Sequence, residues 1–562
     1  MANPPSSGGF DVDPEDLYAV SRNVAEQQDA YHSHAKHLLS EHSEYQASGG
    51  GGVAAAAFGA PYDKTASRVL HVWGRSIASI GGVSTGLTVT ANNYVKAEEA
   101  TNHKSSGSSA TEHPPSVIEK APNYPTPPSI YRDATAEGMD DFLEDVPAID
   151  DAIQHVLLDR FKGFVKVAEN LPLADSDELR SLADLWRTAA RNHTDAGTGF
   201  STEIAGITNT QNDEWQAAMH TFCRSIWGTT AWGSDPNRPS DGYVWGHGKK
   251  PGPHGPDHRN ATSRPILEVQ RDSAKRLADS CEEWADAADD ARRKLKQIFV
   301  QAVKDTIKEI IGDFDVVEKA KLMLMGMNEI AAIFLQKLDQ GAIAQAMEKY
   351  ENRAHTIGQS LTSLEDPLDE AARSAPTYAA EEARAEAVGN RALHEFKPDH
   401  TWNVPDDDKS KHAYPIDLAS QEEKQAGNPN SHAHPIDKHV GKTDEQLTQR
   451  LRDDLRPNGN IAPSSSSTFK NMHDAQKFTQ ENIDDNDRKI REWLESDPPP
   501  SSLSIESPEG SNEITGRSVS KQDYMAQGDD AKPENVRRVQ TILRYEPNMT
   551  PKFVVLTSYP KE

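Results

Sequence analysis

What most narrows the folds open to this chain is a change of hydrophobic period near the proline run Pro498–Pro500. Before it, apolar residues recur at three- and four-residue steps; after it they alternate. A 3.6-residue period lays one stripe on a helix, and a two-residue period lays one face on a strand. The expected molecule is multidomain: mostly α-helical N-terminal and middle regions, a hairpin and a bundle, then a C-terminal α+β region with antiparallel strands. At 562 residues the chain exceeds one compact domain. With 35 glycines, 35 prolines and 35% hydrophobic residues, much of it should be linker or exposed helix. A net charge of −28 argues against a chain-wide grip on nucleic acid or anionic membrane and leaves a local site open. Two cysteines exclude a disulfide scaffold and a Cys-rich zinc module.

Asp13-Pro14 opens the first helix as cap and first turn. Leu17, Val20, Val24, Tyr31, Ala35 and Leu38 form its stripe until the run SGGGG at 48–52. A second stripe, expected from near Tyr62, carries Val69, Val72, Ile77, Ile80, Val83, Leu87, Ala91 and Tyr94. Two such helices make an antiparallel hairpin too thin to bury its own face. Tyr94 and Glu98 stand one turn apart near its end, and Trp73-Gly74 lies earlier on the same helix. Over residues 10–102 this arrangement resembles the WxG-type substrates of type VII (ESX) secretion, although Trp and Gly are adjacent rather than spaced. The resemblance implies Tyr94 and Glu98 as a YxxxD/E export signal, with the secretion machinery and a small helical export partner as partners. Met1–Phe10, MANPPSSGGF, has neither a basic nor an apolar signal-peptide region. The most apolar stretch, Lys319–Leu338, carries Lys321, Glu329 and Lys337 and reads as an amphipathic helix rather than a membrane span.

Residues 103–130, rich in Ser, Thr and Pro, read as a linker. Residues 131–392 read as a helical bundle, similar in pattern to the scaffolds of large ESX-exported toxins, with helices around Leu179–Ala189, Trp215–Ile226 and Ile266–Tyr350. Cys223 and Cys281 sit on such helices as buried thiols or as one disulfide. His247, His254 and His258 fall in a Gly/Pro-rich stretch whose spacing fits no tetrahedral template, so no metal or cofactor is expected. Residues 393–430 read as a second linker. A phrase then occurs twice, His412-Ala-Tyr-Pro-Ile-Asp417 and His432-Ala-His-Pro-Ile-Asp437, and the second copy is taken as the start of a compact domain over 431–562.

In that domain Thr443-Asp-Glu-Gln446 is a capping box that starts a helix with Leu447, Leu451 and Leu455. Asn471–Leu494 reads as a second helix. Strands are expected over Ile514–Val519, Val536–Tyr545 and Lys552–Tyr559, the last with Phe553, Val555, Thr557 and Tyr559 on one face. Lys438-His439-Val-Gly-Lys442-Thr443, then Arg450 and a late Leu556-Thr557-Ser-Tyr559-Pro560, resemble the bacterial RNase A-like domain of contact-dependent inhibition toxins and other polymorphic toxins. That resemblance implies a ribonuclease whose active site is His439, Arg450, Thr557 and Tyr559.

The same residues suit RNA chemistry on their own terms. RNA supplies its own nucleophile, the 2′-OH, so an enzyme needs only to move protons and stabilise the phosphorane. An imidazole such as His439 transfers protons near neutral pH, and the Arg450 fork matches phosphate. Thr557 and Tyr559 offer hydroxyl donors. Taken singly each is an ordinary loop, helix or strand residue; the combination carries the reading. Lys438, Lys442 and Arg544 are the expected substrate-binding cations, with Arg537 and Arg538 beside them, although Ser431 onward has eighteen basic against twenty-two acidic residues. No histidine follows His473, so the final strand supplies no second imidazole and the general acid is left open. The expectation is a secreted antibacterial-type toxin, acting in the target-cell cytoplasm as a metal-independent endoribonuclease by 2′-OH transphosphorylation. RNA (tRNA among the candidates) is its substrate and DNA is not. A cognate immunity protein is its partner, and no stable membrane span is expected. The alternative is a secreted helical interaction protein with a non-catalytic C-terminal binding domain. An NAD-consuming toxin lacks its Gly-rich or Arg-based pocket here.

Overall fold

The computed structural model describes residues 13–101, 110–132, 151–166, 174–207, 266–311, 326–396, 404 and 407–562, except 423, 427, 456–458, 462, 510 and 511. The expected helix over Trp215–Ile226, Cys223 and the His247, His254 and His258 stretch lie outside the described residues. The helical part comprises α1 (Pro14–His42), α2 (Gly52–Thr101), α3 (Asp151–Lys166), α4 (Ser176–Gly206), α5 (Ile266–Ile311), α6 (Met327–Lys337), α7 (Gln340–Thr362), α8 (Glu365–Ser374) and α9 (Tyr378–Phe396). Asp13 caps α1 through its carboxylate, with Pro14 in the first turn. The glycine run breaks the chain as expected, but α2 restarts at Gly52, well before Tyr62, and carries Pro61 inside it.

The hairpin does not stand alone. Its stripe residues share one continuous core with Trp186 of α4, Trp284 of α5 and Tyr350 of α7. The face of a two-helix pair is too large to leave wet, and the following helices of the same chain cover it. Hairpin and bundle therefore share one packed core. Residues 110–130 do not behave as a free linker. Gln28 Nε2 donates to Ile118 O (2.9 Å) and Gln28 Oε1 accepts from Ile118 N (2.9 Å). Ile130 O accepts from Gly49 N (2.6 Å). Ile118 and Ile130 supply the apolar contacts that hold this strap on the hairpin. Cys281 is fully buried. Among the described residues, no helix is long and apolar enough to cross a membrane.

The C-terminal part is α+β. After the short α10 (Leu418–Gln421) and the strands β1 (Gln425–Ala426) and β2 (Asn428–His432) come α11 (Asp444–Asp453), β3 (Ser465–Thr468), α12 (Met472–Asp485), α13 (Asp487–Leu494), β4 (Ser502–Glu506), β5 (Gly516–Ser520), α14 (Lys521–Gln527), β6 (Glu534–Val536), β7 (Arg538–Tyr545) and β8 (Phe553–Lys561). Beyond the β1–β2 pair, two antiparallel three-stranded sheets form, ordered β3-β5-β6 and β4-β7-β8. The expected Asn471–Leu494 helix is split at Asn486, whose side chain bonds back to Asn482 O and across to Glu506 O. The core beneath β4-β7-β8 contains Val539, Leu543, Phe553 and Val555 with Phe478 and Ile490. It also contains Ile416, Leu418 and Ala419 from the segment expected as a linker, and Ala383 and Ala387 from α9. Small and branched apolar side chains spaced to reach this core are what a solvated linker would not need, so the compact unit begins upstream of Ser431.

Candidate active site

The loop between β2 and α11 carries His439. A tight turn, with His439 N and Val440 N both donating to Ile436 O (3.0 Å each), buries Ile436 and Val440 and turns the imidazole inward. Phe469 N donates to His439 O (2.7 Å) and Gly441 N to Phe469 O (3.0 Å), stitching the loop to the end of β3. Gly441 has φ +65°, and a Cβ there would lie 2.6 Å from Ala380 N of α9, so only glycine fits. Thr443 then caps α11 in the expected capping box, with Gln446 answering it. This fixes where the helix starts and carries Arg450 back over the loop, Nη1 reaching Lys438 O at 3.4 Å.

Thr557 and Tyr559 approach from β8, by a route the alternation did not foresee. The β7–β8 register slips at Ile542/Leu543: Leu543 pairs with Val555 and Ile542 with Thr557, which leaves Leu556 as an extra residue. This bulge turns the later residues over. Phe553 and Val555 face the core, and so does Ser558, bonded to Thr479 of α12 and Thr541. Thr557 and Tyr559 take the opposite face. The expected single face of Phe553, Val555, Thr557 and Tyr559 is therefore corrected to two.

On that opposite face Tyr559 stacks on His439, ring centroids 5.2 Å apart and planes 24° apart. Tyr559 Oη donates to Gln540 Oε1 (2.9 Å). Thr557 Oγ1 is buried with no hydrogen-bond partner among the described residues, a donor held without a protein acceptor. His439 Nδ1 lies 3.2 Å from Ser467 O. A carbonyl only accepts, so Nδ1 carries the proton and Nε2 keeps its lone pair. Burial, then Arg450, then His434 and Lys438 push the imidazole well below its ordinary value, so it is neutral at neutral pH, with Nε2 free to accept a proton. Among the described residues Arg450 forms no ion pair, and its charge bears on both His439 and Tyr559. Burial and Arg450 in turn press the Lys438 ammonium down.

His434 joins these residues without having been singled out in the sequence. Its ring lies near-parallel to that of His439, centroids 6.5 Å apart, so Tyr559, His439 and His434 form a column. Nδ1 of His434 faces His432 O at 3.0 Å, and burial and Lys438 lower its pKa to about 4. The only mark it bore in the sequence was its place in the repeated phrase, where it stands at the position of Tyr414.

The other expected residues are distributed differently. Lys442 turns toward a buried cluster of Asp437, Arg384 and Glu381, and burial brings its pKa down to about 8. Arg544 lies on the Thr557–Tyr559 face of β7, four residues beyond Gln540. Arg538 is taken up by Glu506, and Arg537 bonds to Asn512 O, so neither widens the positive cleft as expected. Tyr94 and Glu98 are both on α2; Tyr94 is buried in the helical core, and the Glu98 side chain lies outside the described residues. Among the described residues, no group of three or more His, Cys, Asp or Glu side chains is arranged to hold a metal ion.

Residues 433–560 match the family model of the bacterial CdiA-CT RNase A domain. Among solved structures, the crystal structure of a CdiA-CT/CdiI complex from Y. kristensenii is 28% identical over 23% of this chain and 97% of that one, with a TM-score of 0.19. No curated protein matches the chain. The loop, helix and strand residues just described all fall within the matched span, and the C-terminal part of this chain is an RNase A-like toxin domain.

Proposed function

We propose that this chain is a secreted antibacterial toxin whose C-terminal domain is a metal-independent endoribonuclease. The observation that carries the reading is the stacking of Tyr559 on a neutral His439 beside Arg450 and the orphaned Thr557 hydroxyl. His439 Nε2 takes the proton of an RNA 2′-OH, whose oxygen attacks the adjacent phosphorus. Arg450 binds the non-bridging oxygens through its fork, and Thr557 Oγ1 donates to the charge that develops on them. The 5′-oxygen leaves with a proton from Tyr559, the hydroxyl group whose ring stacks on His439. The products are a 2′,3′-cyclic phosphate and a 5′-OH. Every charge on the path has a protein partner, so no step calls for a metal. A neutralising immunity protein and a type VII export route signalled by Tyr94 and Glu98 belong to the same proposal.

The test is incubation of the full chain with RNA in excess EDTA, with the new ends mapped. Cyclic phosphate ends, and protection by a single 2′-deoxy substitution at the cut site, are expected. Binding without cutting would leave the non-catalytic binding module as the better reading.

A further inference from the structure

The loop that carries His439 is held from outside the RNase A-like domain. Helix α9 lies between the two parts of the chain. Against α2 it packs closely enough that a Cβ on Gly82 or Gly86 would collide with Tyr378 O or Ala385, and Thr90 Oγ1 donates to Ala385 O (3.2 Å). Its other side delivers Ala383 and Ala387 to the C-terminal core. From this side Arg384 reaches the catalytic loop. Nη1 donates to Glu381 Oε1 (2.8 Å) and Nη2 to Asp437 Oδ1 (2.9 Å), two residues before His439. The Arg384 side chain is 6% exposed and that of Glu381 is fully buried. Burial would raise the Asp437 carboxyl, yet Arg384 and Lys442 hold it down at about 2.

Neighbouring contacts have the same origin. Thr377 Oγ1 donates to Gly441 O (2.5 Å), closing the loop from its far end. The helix that carries Arg450 is clamped as well: Gln446 Nε2 donates to Arg373 O and Ala375 O (3.0 Å each), and Gln449 Nε2 to Glu370 Oε1 (2.8 Å). None of the donors or acceptors on α8 and α9 lies within residues 433–560, so both His439 and Arg450 ride on elements fastened to the helical scaffold.

We infer that Arg384 is a positioning residue for the nuclease site: through Asp437 the scaffold helix α9 fixes the loop that aims His439, so the helical part of the chain sets the catalytic rate of the domain it carries. The physical reason is that the Asp437 side chain, 27% exposed, takes its charged partner from α9. Without the guanidinium its carboxylate turns to Lys438, Lys442 or water, and each move releases the backbone next to His439 from the helix. A displacement near 1 Å at a reacting group costs on the order of 10²-fold in rate.

The experiment uses the full chain carrying Arg384→Met, Asp437→Asn, or both. Two quantities are read: amide hydrogen exchange of the peptide covering 436–442, and kcat and KM for RNA cleavage. Arg384→Met should speed exchange of that peptide about tenfold while peptides from α2 and β7–β8 keep wild-type rates. It should lower kcat about tenfold or more, with KM within about twofold. The double variant should recover part of the loss, because the stranded carboxylate is gone. Unchanged loop exchange, or a rate loss that Asp437→Asn does not relieve, overturns the inference. Should Arg384→Met loosen the whole chain, Asp437→Asn alone decides, since it removes the same ion pair with a side chain of equal size: a quiet loop there also overturns it. The activity arm rests on the ribonuclease reading and the exchange arm does not. A wild-type chain that cuts no RNA would therefore defeat that reading, while the loop measurement would still judge Arg384.

Discussion

His193 and His439 are both almost completely sealed from solvent, and the company each keeps is opposite. His193, in the helical core, sets Nδ1 2.6 Å from Tyr31 Oη and lies against Trp73 with centroids 4.3 Å apart. Burial alone lowers its pKa to about 3. His439 is lowered by burial too, and then by Arg450, His434 and Lys438. Desolvation is thus a property of any interior imidazole, and says nothing about function. Cations gathered around a neutral base, next to a hydroxyl with no protein acceptor, are costly for folding alone and make sense when an anion completes them. Replacing each residue in the full chain should separate the two roles. His439→Ala is expected to lower RNA cleavage about 10³-fold per folded molecule. His193→Ala should lose about 2–4 kcal/mol of stability from its cavity and the lost hydrogen bond to Tyr31, with the rate per folded molecule untouched. Equal rate losses would erase the distinction.

Thr557 sharpens the contrast from the side of the donor. Ser558 next to it is satisfied by Thr541 and Thr479, whereas the Thr557 hydroxyl has no partner among the described residues. Thr557→Val keeps the shape and removes an unsatisfied polar atom. Unfolding stability should stay level or rise by up to about 1 kcal/mol, while cleavage falls about 10²-fold. A clear drop in stability would make Thr557 a structural residue.

The sequence made much of this pocket legible, because its parts are local. The capping box at Thr443 starts a helix, and a helix of known start places Arg450 over the loop before it. Alternation at Thr557 and Tyr559 puts both on one face whichever face that is. The bulge at Leu556 was not legible. A slipped register depends on which residues of β7 find partners, and no residue type at 556 announces it. His434 was missed for a related reason: its neighbourhood is made by β8, more than a hundred residues later. The strap over 110–130 and the segment through Ile416 and Leu418 carry the composition of linkers, and only the grooves they fill show why they are ordered. In each case the missing information was a long-range contact.

Acid should separate the two imidazoles next. In the unfolded chain each titrates near pH 6.5. His193 in the folded chain does not, so below 6.5 the unfolded state binds the extra proton and wild type loses about 1.4 kcal/mol per pH unit from this residue. His193→Ala has nothing to lose there, and its stability deficit should shrink by about 1 kcal/mol between pH 6.5 and 5.5. For His439 the same lowering keeps the base unprotonated, so kcat/KM for RNA should hold its plateau below pH 6.5 before its acid limb begins. A limb at or above 6.5 would mean that the cations do not act on His439 as their placement indicates.

Arg544 should give the smallest effect, and it asks how far the site extends. It shares the face of β7 that opposes Thr557 and Tyr559, yet lies at the Val554 pairing, beyond the bulge and away from the His439 column. A cation two residues beyond the Thr557 pairing is placed for a phosphate next to the reacting one along the strand. Arg544→Gln should therefore raise KM for an oligonucleotide about two- to fivefold at low salt and leave kcat alone. One phosphate contact on a single strand contributes about 0.7 to the slope of log affinity against log salt, so the variant's slope should be shallower by that amount. A dinucleotide, which has no second phosphate, should not register the change. If it does, Arg544 acts at the reacting phosphate itself, and the boundary between the site and its surroundings runs on the far side of the bulge.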